Sequence, residues 1–423
     1  MKTYFVQSYL AAVFFCSIAT PAQAGFAEGQ AAYDAGNYQV AQREWQPLAE
    51  SGDANAQVKI GWLYEAGRGV AKDDVQAVSW YRKAAEQGNA SGQSSLGSLL
   101  LSDNAKVRDE AQALMWTRKA ADQGNTIAFY NLGIMYANGR GVTKDEQQAG
   151  AWYRKAAEQG DSDAQYLLGV RYGSGLGVAK DEKQSAAWYG KAAEQGHVSS
   201  QFMTGLKYDL GQGVPKDEKL AAAWYRKAAD QGHAGAQNNL GAAYFHGTGV
   251  LKDEVMSVSL YRAAAVQGHG LGQRNLAYAY QTGSGVEVDL IKAYAWFNLA
   301  SANDEAGQKA GVARDELAKQ MSKAQITEAQ RLSRDWNAGG DLGKSTLKPA
   351  KPAAAPARPR QASADASPYP ARPQARPGVT TCNTNCNNGD CYRTYDTGKK
   401  VRFQAPRKLD PFTSQWTWDA GTC

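Results

Sequence analysis

Apolar positions in this chain recur in two rhythms, a short one of three and four residues and a long one of 36. Within residues 124–160, GNTIAFYNLGIMYANGRGVTKDEQQAGAWYRKAAEQG, the residues Ala128, Leu132 and Tyr136 fall four apart, which predicts a helix from about Asn125 to Ala137. Ala149, Trp152, Tyr153 and Ala156 form a second stripe and predict a helix running to Gln159. Between the two, Gly139 and Gly141 supply the positive-φ positions of a tight connection. Asp145 is placed as an N-cap with Gln148 three residues on, a capping-box variant that recurs as Asp73/Gln76, Asp109/Gln112 and Asp181/Gln184. Arg154 and Lys155 sit in the last turns, near the negative end of the helix dipole, and Gly160 is placed for a left-handed C-terminal cap.

The long rhythm repeats this helix pair. Trp80, Trp116, Trp152, Trp188, Trp224 and Trp296 lie on one series of step 36, with Leu260 in the missing place. Gly61, Gly97, Gly133, Gly169, Gly205 and Gly241 follow the same step, with Ala277 seventh. Such regularity predicts stacked repeats. Glycine inside a helix costs roughly 1 kcal/mol relative to alanine. Its recurrence at one helical position therefore predicts close approach of the partner helix, with no room for a side chain.

The combination A-x-x-x-L-G-x-x-Y, G-x-G-V, K-D-E and W-Y-R-K-A-A-E-Q-G resembles the Sel1-like repeat, a relative of the tetratricopeptide repeat, over roughly residues 25–338. The resemblance implies an all-α, right-handed α/α superhelical solenoid of 36-residue helix pairs whose first helices line the concave face. Two units depart from the pattern. One has Ser102-Asp103-Asn104-Ala105 in place of the glycine loop, and the last has Val288-Asp289-Leu290 in place of K-D-E. Residues 26–51 read as a degenerate opening pair, with Trp45 one residue off the series. Asp304 to Gln320 and Ser322 to Trp336 read as a polar closing pair, the second starting with a Ser322/Gln325 capping box.

Charge divides the chain. Residues 25–343 carry 33 basic and 36 acidic side chains, whereas 344–423 carry 13 and 5, so the net +6 belongs to the tail. That asymmetry argues against a uniform nucleic-acid surface and for two parts with different contacts. Lys2, an apolar run from about Leu10 to Ala19 and Pro21-Ala22-Gln23-Ala24 before Gly25 have the layout of a cleavable export signal, too short to span a bilayer. The expected divisions are a signal peptide over 1–24, the solenoid with its caps over 25–343, a Pro/Ala/Arg-rich linker over 344–378 and a small module over 379–423. Eight of the 13 prolines lie in 349–377, which predicts an extended, semi-rigid tether. After export the remaining cysteines, Cys382, Cys386, Cys391 and Cys423, read as two disulfides stapling a β-rich module, with zinc the weaker rival given the C-x₃-C-x₄-C spacing. Strands are expected over Cys391–Tyr395, Val401–Phe403 and about Gln415–Trp418.

Candidate chemistry reduces mostly to helix starts. His197, His233 and His269 occupy one position in successive units where earlier units have Asp53, Asn89, Asn125 and Asp161, so they are expected to be N-caps and not a metal ladder. The K-D-E acids fit the same role. The stretch Ala338–Ser345 lacks both the first glycine and the preceding strand of a phosphate loop, and reads as a flexible exit from the closing helix. No hydrolytic constellation is evident, so no enzyme activity and no cofactor or metal are expected.

The best partner-facing candidates are first-helix positions that vary off the core stripe: Trp62, Tyr130, Ile134, Tyr166, Arg171, Phe202, Lys207 and Tyr278. Packing between neighbouring units is the competing role for each. The resemblance implies an exported scaffold that holds other proteins of the bacterial cell envelope, in the periplasm or secreted. One alternative makes the basic tail an anchor on peptidoglycan or another anionic polymer. Another is a Sel1-like enzyme of cell-wall or β-lactam substrates, whose associated members carry cysteine pairs within the repeats; these repeats have none.

Overall fold

The computed structural model describes residues 21–303 and 307–347, with side chains from Gly25 onward, and the backbone of five short strands in the tail. An opening pair, α1 (Pro21–Asp34) and α2 (Tyr38–Glu50), starts the stack. Seven units follow: α3 (Ala54–Ala66) with α4 (Asp74–Glu86), α5 (Ala90–Leu100) with α6 (Glu110–Asp122), α7 (Thr126–Asn138) with α8 (Glu146–Glu158), and α9 (Ser162–Ser174) with α10 (Glu182–Glu194). Then come α11 (Val198–Leu210) with α12 (Glu218–Asp230), α13 (Ala234–His246) with α14 (Glu254–Val266), and α15 (Gly270–Thr282) with α16 (Leu290–Ser301). A closing pair, α17 (Gly307–Ala318) and α18 (Lys323–Arg334), ends it. From α1 to α17 each helix packs on the next, α18 packs on α16 beside α17, and first helices also touch across units (α3 with α5, α5 with α7, α13 with α15), which crowds them on one side of the stack. The result is the expected α/α solenoid.

The helix glycines have the predicted cause. A Cβ on Gly133, Gly169, Gly205 or Gly241 would lie 2.5–2.9 Å from the ring of Tyr153, Tyr189, Tyr225 or Tyr261. Each glycine is thus the seat of a buried tyrosine 20 residues on, and the ring's packing offsets the helix-propensity cost. In the seventh unit Ala277 and Phe297 take the two places, both fully buried. Five of the series tryptophans are buried, Trp80, Trp116, Trp188 and Trp224 being 6–9% exposed and Trp296 not at all, and Trp152 is half-buried. Lys83, Lys119, Lys155, Lys191 and Lys227 lie 3.9–4.3 Å above the ring three residues before them, so the W-Y-R-K run shields its own indole with a cation.

Three contacts join unit to unit. Buried Gln57, Gln93, Gln165, Gln201, Gln237 and Gln273 each donate to a carbonyl at the end of the preceding second helix, at 3.0–3.3 Å. In all but Gln273 the side-chain oxygen accepts from the glutamine closing its own unit, as Gln195 to Gln165 and Gln231 to Gln201, both 2.8 Å. The second glycine of each G-x-G loop lies against the first residue of the preceding second helix: a Cβ on Gly177, Gly213, Gly249 or Gly285 would collide with the carbonyl oxygen of Glu146, Glu182, Glu218 or Glu254. The third contact pairs Glu110, Glu146 and Glu182 with Arg140, Arg171 and Lys207 of the next unit, whereas Glu218 and Glu254 pair with Lys216 and Lys252 of their own. In the second unit, which lacks the glycine loop, Asn104 instead donates to Asp74, the first residue of α4, at 2.6 Å.

Three expectations are corrected. The Asp/Gln pairs are one-armed caps: Asp73, Asp145 and Asp181 each accept from two first-turn N–H groups, while Gln112 turns its amide onto the Asp109 carboxylate. The reciprocal box forms at Ser322 and Gln325, as expected. The exit after α18 is docked and not free. Gly339 N–H donates to Val266 O, Asp341 pairs with Arg262 at 3.3 Å, Trp336 donates to Gly340 O, and Thr346 N–H donates to Glu328. Arg331 and that Thr346 N–H hold the Glu328 carboxyl down to about 2. The third correction concerns Arg171 and Lys207 and is given with the site.

The tail is a separate compact unit, residues 352–423. Strands β1 (Cys382–Asn387), β2 (Asp390–Tyr395) and β3 (Lys400–Gln404) form an antiparallel sheet in that order, and β4 (Arg407–Leu409) pairs with β5 (Trp416–Trp418). The expected strands are present, with β1 and β4 additional. The export signal up to residue 20, most of the linker, and Cys423 lie outside the described residues. Helix α1 begins at Pro21, four residues before the expected mature start.

One position invites repair. Arg118, Arg154, Arg226 and Arg262 each donate to the hydroxyl of a tyrosine 18 residues on. Gly190 occupies this place before Tyr208, inside α10, and a Cβ there meets nothing within 4 Å. Gly190→Arg is expected to raise stability by about 1 kcal/mol from helix propensity alone, read as a higher urea midpoint at unchanged m.

Candidate partner-binding groove

The variable first-helix positions fall into two groups once placed. Tyr130, Tyr166 and Phe202 are half-buried between a tyrosine of their own unit, with ring centroids 5.7–5.9 Å apart, and the start of the next unit. Tyr166 meets His197 at 5.0 Å, and Phe202 stacks on His233 at 4.5 Å. Each therefore presents only an edge outward. Ile134 is half-buried, as is Trp62, which packs edge-on against Tyr33 at 5.0 Å with the Arg68 guanidinium over its ring.

Arg171 and Lys207 are not on a partner-facing surface; this is the remaining correction. They are 5% and 6% exposed, and bind Glu146 and Glu182 at 3.0 and 2.6 Å. The Lys207 ammonium keeps the Glu182 carboxyl below the usual carboxylate range. Their step-36 series reads Leu63, Leu99, Met135, Arg171, Lys207, Ala243 and Ala279, a core series interrupted by two cations. That pattern was the available signal of burial.

The three histidines cap helices, as expected. The rings of His197, His233 and His269 accept from the N–H of Ser200, Ala236 and Gly272. Accepting requires an unprotonated Nδ1, and burial pushes the His233 pKa below its ordinary value. The unfolded chain therefore binds more protons than the folded one just below the ordinary imidazole pKa of about 6.5. This part of the stability is complete above that pH and is lost as pH falls through it towards the depressed folded value. A thermal-melting series between pH 7.5 and 5 is expected to fall less steeply for His233→Asn, which keeps a cap acceptor that does not titrate.

The aromatic series ends at Phe202, and there the surface opens. The next unit carries Asn238 where the three units before it have Tyr or Phe, and Ala242 where those three have Ile, Val or Leu. Asn238 accepts from Asn275 at 2.9 Å and leaves the space above Ala242 unfilled. A groove of about 460 Å³ results between α13, α14 and α15. Phe245, Val258, Tyr261, Tyr278 and Ala279 give it apolar walls; Arg274, Asn275, Thr282 and Ser284 supply polar groups. Tyr278 is 42% exposed and stands edge-on to Phe297 at 4.9 Å. Of the residues singled out from sequence, Tyr278 alone lines this groove. Arg274 and Asn275 were missed as members of it, because no periodic signal marks a pocket made by missing bulk. Such a groove suits a short peptide stretch with apolar side chains. Among the described residues no three His, Cys, Asp or Glu side chains gather to hold a metal ion, and no helix is long and apolar enough to cross a membrane.

A family model described as Sel1 repeat matches residues 54–89, 90–125, 127–161, 162–197, 198–233, 234–269 and 270–305, in register with the seven helix pairs. Among solved structures, a Sel1 repeat protein from Oxalobacter formigenes is 31% identical, covering 70% of this chain and 88% of its own, at a TM-score of 0.53. A protective antigen of uropathogenic Escherichia coli with an SLR fold is 28% identical over 74% of this chain and 91% of its own, at a TM-score of 0.43. The Helicobacter pylori cysteine rich protein B is 29% identical over 30% of this chain and 92% of its own, at a TM-score of 0.26. Comparison with curated proteins returned no match.

Proposed function

Because the chain belongs to the Sel1 repeat family, whose members are protein-interaction scaffolds, we propose that it is an exported scaffold of the bacterial cell envelope that binds partner proteins along its first helices and acts by binding, not catalysis. The observation that carries this reading is the groove on α13, α14 and α15, an open, largely apolar cleft on the side where first helices crowd together. The layout of residues 1–24 supports export, which puts the working chain in the periplasm or outside the cell. Expressed in a bacterial host, the protein is expected to begin at Gly25 by intact mass. Capture of partners from envelope extracts with the full chain and with a form ending at Leu347 tests the scaffold. Partners retained without the tail support it; the same proteins recovered with an unrelated bait would sink it.

The net +8 of residues 344–423 favours a second reading, in which the tail holds an anionic envelope polymer such as peptidoglycan and the solenoid is its cargo. Loss of sedimentation with isolated cell wall on removing the tail distinguishes it. In either case we read the tail cysteines as two disulfides. The register of β1 and β2 sets Cys386 opposite Cys391, next to the Asn387–Asp390 pair that flanks an Asn-Gly turn sequence. Opposed Cα atoms of an antiparallel ladder are about 4.5–5.5 Å apart, inside the cystine range of about 4.4–6.8 Å. Non-reducing peptide mapping of the exported protein is expected to give Cys386–Cys391 and Cys382–Cys423; two free thiols would contradict it.

A further inference from the structure

Several cations packed between the helices of the stack are answered by a carboxylate within it. Arg140, Arg171, Lys207, Lys216, Lys252 and Arg262 each hold a carboxylate. Arg274 does not: among the described residues it forms no ion pair, and its Nε is buried without a hydrogen-bond partner. It occupies the place that Tyr130, Tyr166 and Phe202 hold in earlier units, facing the groove, and that groove's lining includes no Asp or Glu. A half-buried guanidinium whose Nε is withdrawn from water without a partner costs free energy, which an anion entering the groove would recover through a charge-assisted, two-pronged hydrogen bond. Planar donors and a planar acceptor match in shape, so a carboxylate fits the guanidinium fork. The walls beside it are apolar, and Asn275, Thr282 and Ser284 offer hydrogen bonds to a backbone.

Resting on the scaffold reading, we propose that this groove binds an extended peptide segment of the partner through one Asp or Glu side chain on Arg274, with a neighbouring apolar side chain against Tyr278 and Val258. A peptide is favoured because the cleft is open along its length and large enough for two or three side chains.

The test is selection from a random octapeptide library with blocked termini on the purified full chain, followed by fluorescence anisotropy with one selected peptide. An acidic residue beside an apolar one is expected in the selected set. Changing that acid to its amide, or Arg274→Gln in the protein, should each weaken binding at least tenfold, and both together no more than either alone. Tyr278→Ala should weaken binding while leaving the acid-to-amide ratio unchanged. Circular dichroism of each variant matching the wild type excludes unfolding as the cause. Selected peptides without an acid, or an acidic peptide indifferent to Arg274→Gln, would overturn the assignment. A library that yields no binder overturns it as well, and co-purification from envelope extracts then decides the scaffold reading by itself.

Discussion

Replacing Gly213 with alanine is expected to destabilise the stack by roughly 2–5 kcal/mol and to split its urea unfolding into two steps. Gly213 has φ +78, where a side chain costs about 1–2 kcal/mol. Its added methyl would also strike the backbone carbonyl of Glu182 at the start of α10, and a forced shift of packed backbone costs about 1–3 kcal/mol more. Repeat stacks hold together by nearest-neighbour interfaces, so weakening the joint between the fourth and fifth units uncouples what lies on either side. Gly232→Ala is the control. Its φ is +90 but a Cβ there meets nothing within 4 Å, so it incurs only the backbone cost and should keep a single transition. Equal effects of the two substitutions would mean that the loop contact contributes nothing.

Trp296→Ala is expected to cost about 3–5 kcal/mol. Trp296 is wholly buried and meets Trp336 edge-on at 6.1 Å, inside the core that fastens the seventh unit to the closing pair. Its indole N–H has no hydrogen-bond partner. Trp296→Phe therefore removes an unpaired polar group together with some bulk and should cost far less than the alanine change. If phenylalanine were as damaging as alanine, shape alone would be holding this end. Denaturant titration followed by far-ultraviolet circular dichroism separates the outcomes.

Much of this molecule could be read in advance because each unit repeats a local pattern. The seat glycines, the inward tryptophans, the aspartate and histidine caps and both terminal pairs follow from spacing within one helix pair. Contacts across the joint were harder to see. The glutamines from Gln57 to Gln273 also fall on the 36-residue step, yet their partners lie in the preceding unit, and a polar residue on an apolar helix face does not announce an acceptor eight residues back. In one unit the series is broken by Phe129, which stacks on Trp152 at 5.8 Å. Arg171 and Lys207 misled for a related reason: a cation reads as surface until the glutamate that neutralises it is placed by the fold. The docked exit lies outside the repeat altogether, and nothing periodic marks Asp341 as the partner of Arg262.

The joint itself has a direction. In every unit with the buried glutamine the amide nitrogen points back, and in all but the last its oxygen points home, so the two faces of a helix pair differ. Units joined this way are related by a rotation with a translation along one axis and not by a twofold, and such head-to-tail contacts propagate as open filaments unless something blocks the growing end. The pair α17–α18 and the segment folded over Arg262 and Val266 cover that end. Their packing leaves that face closed to a further helix pair.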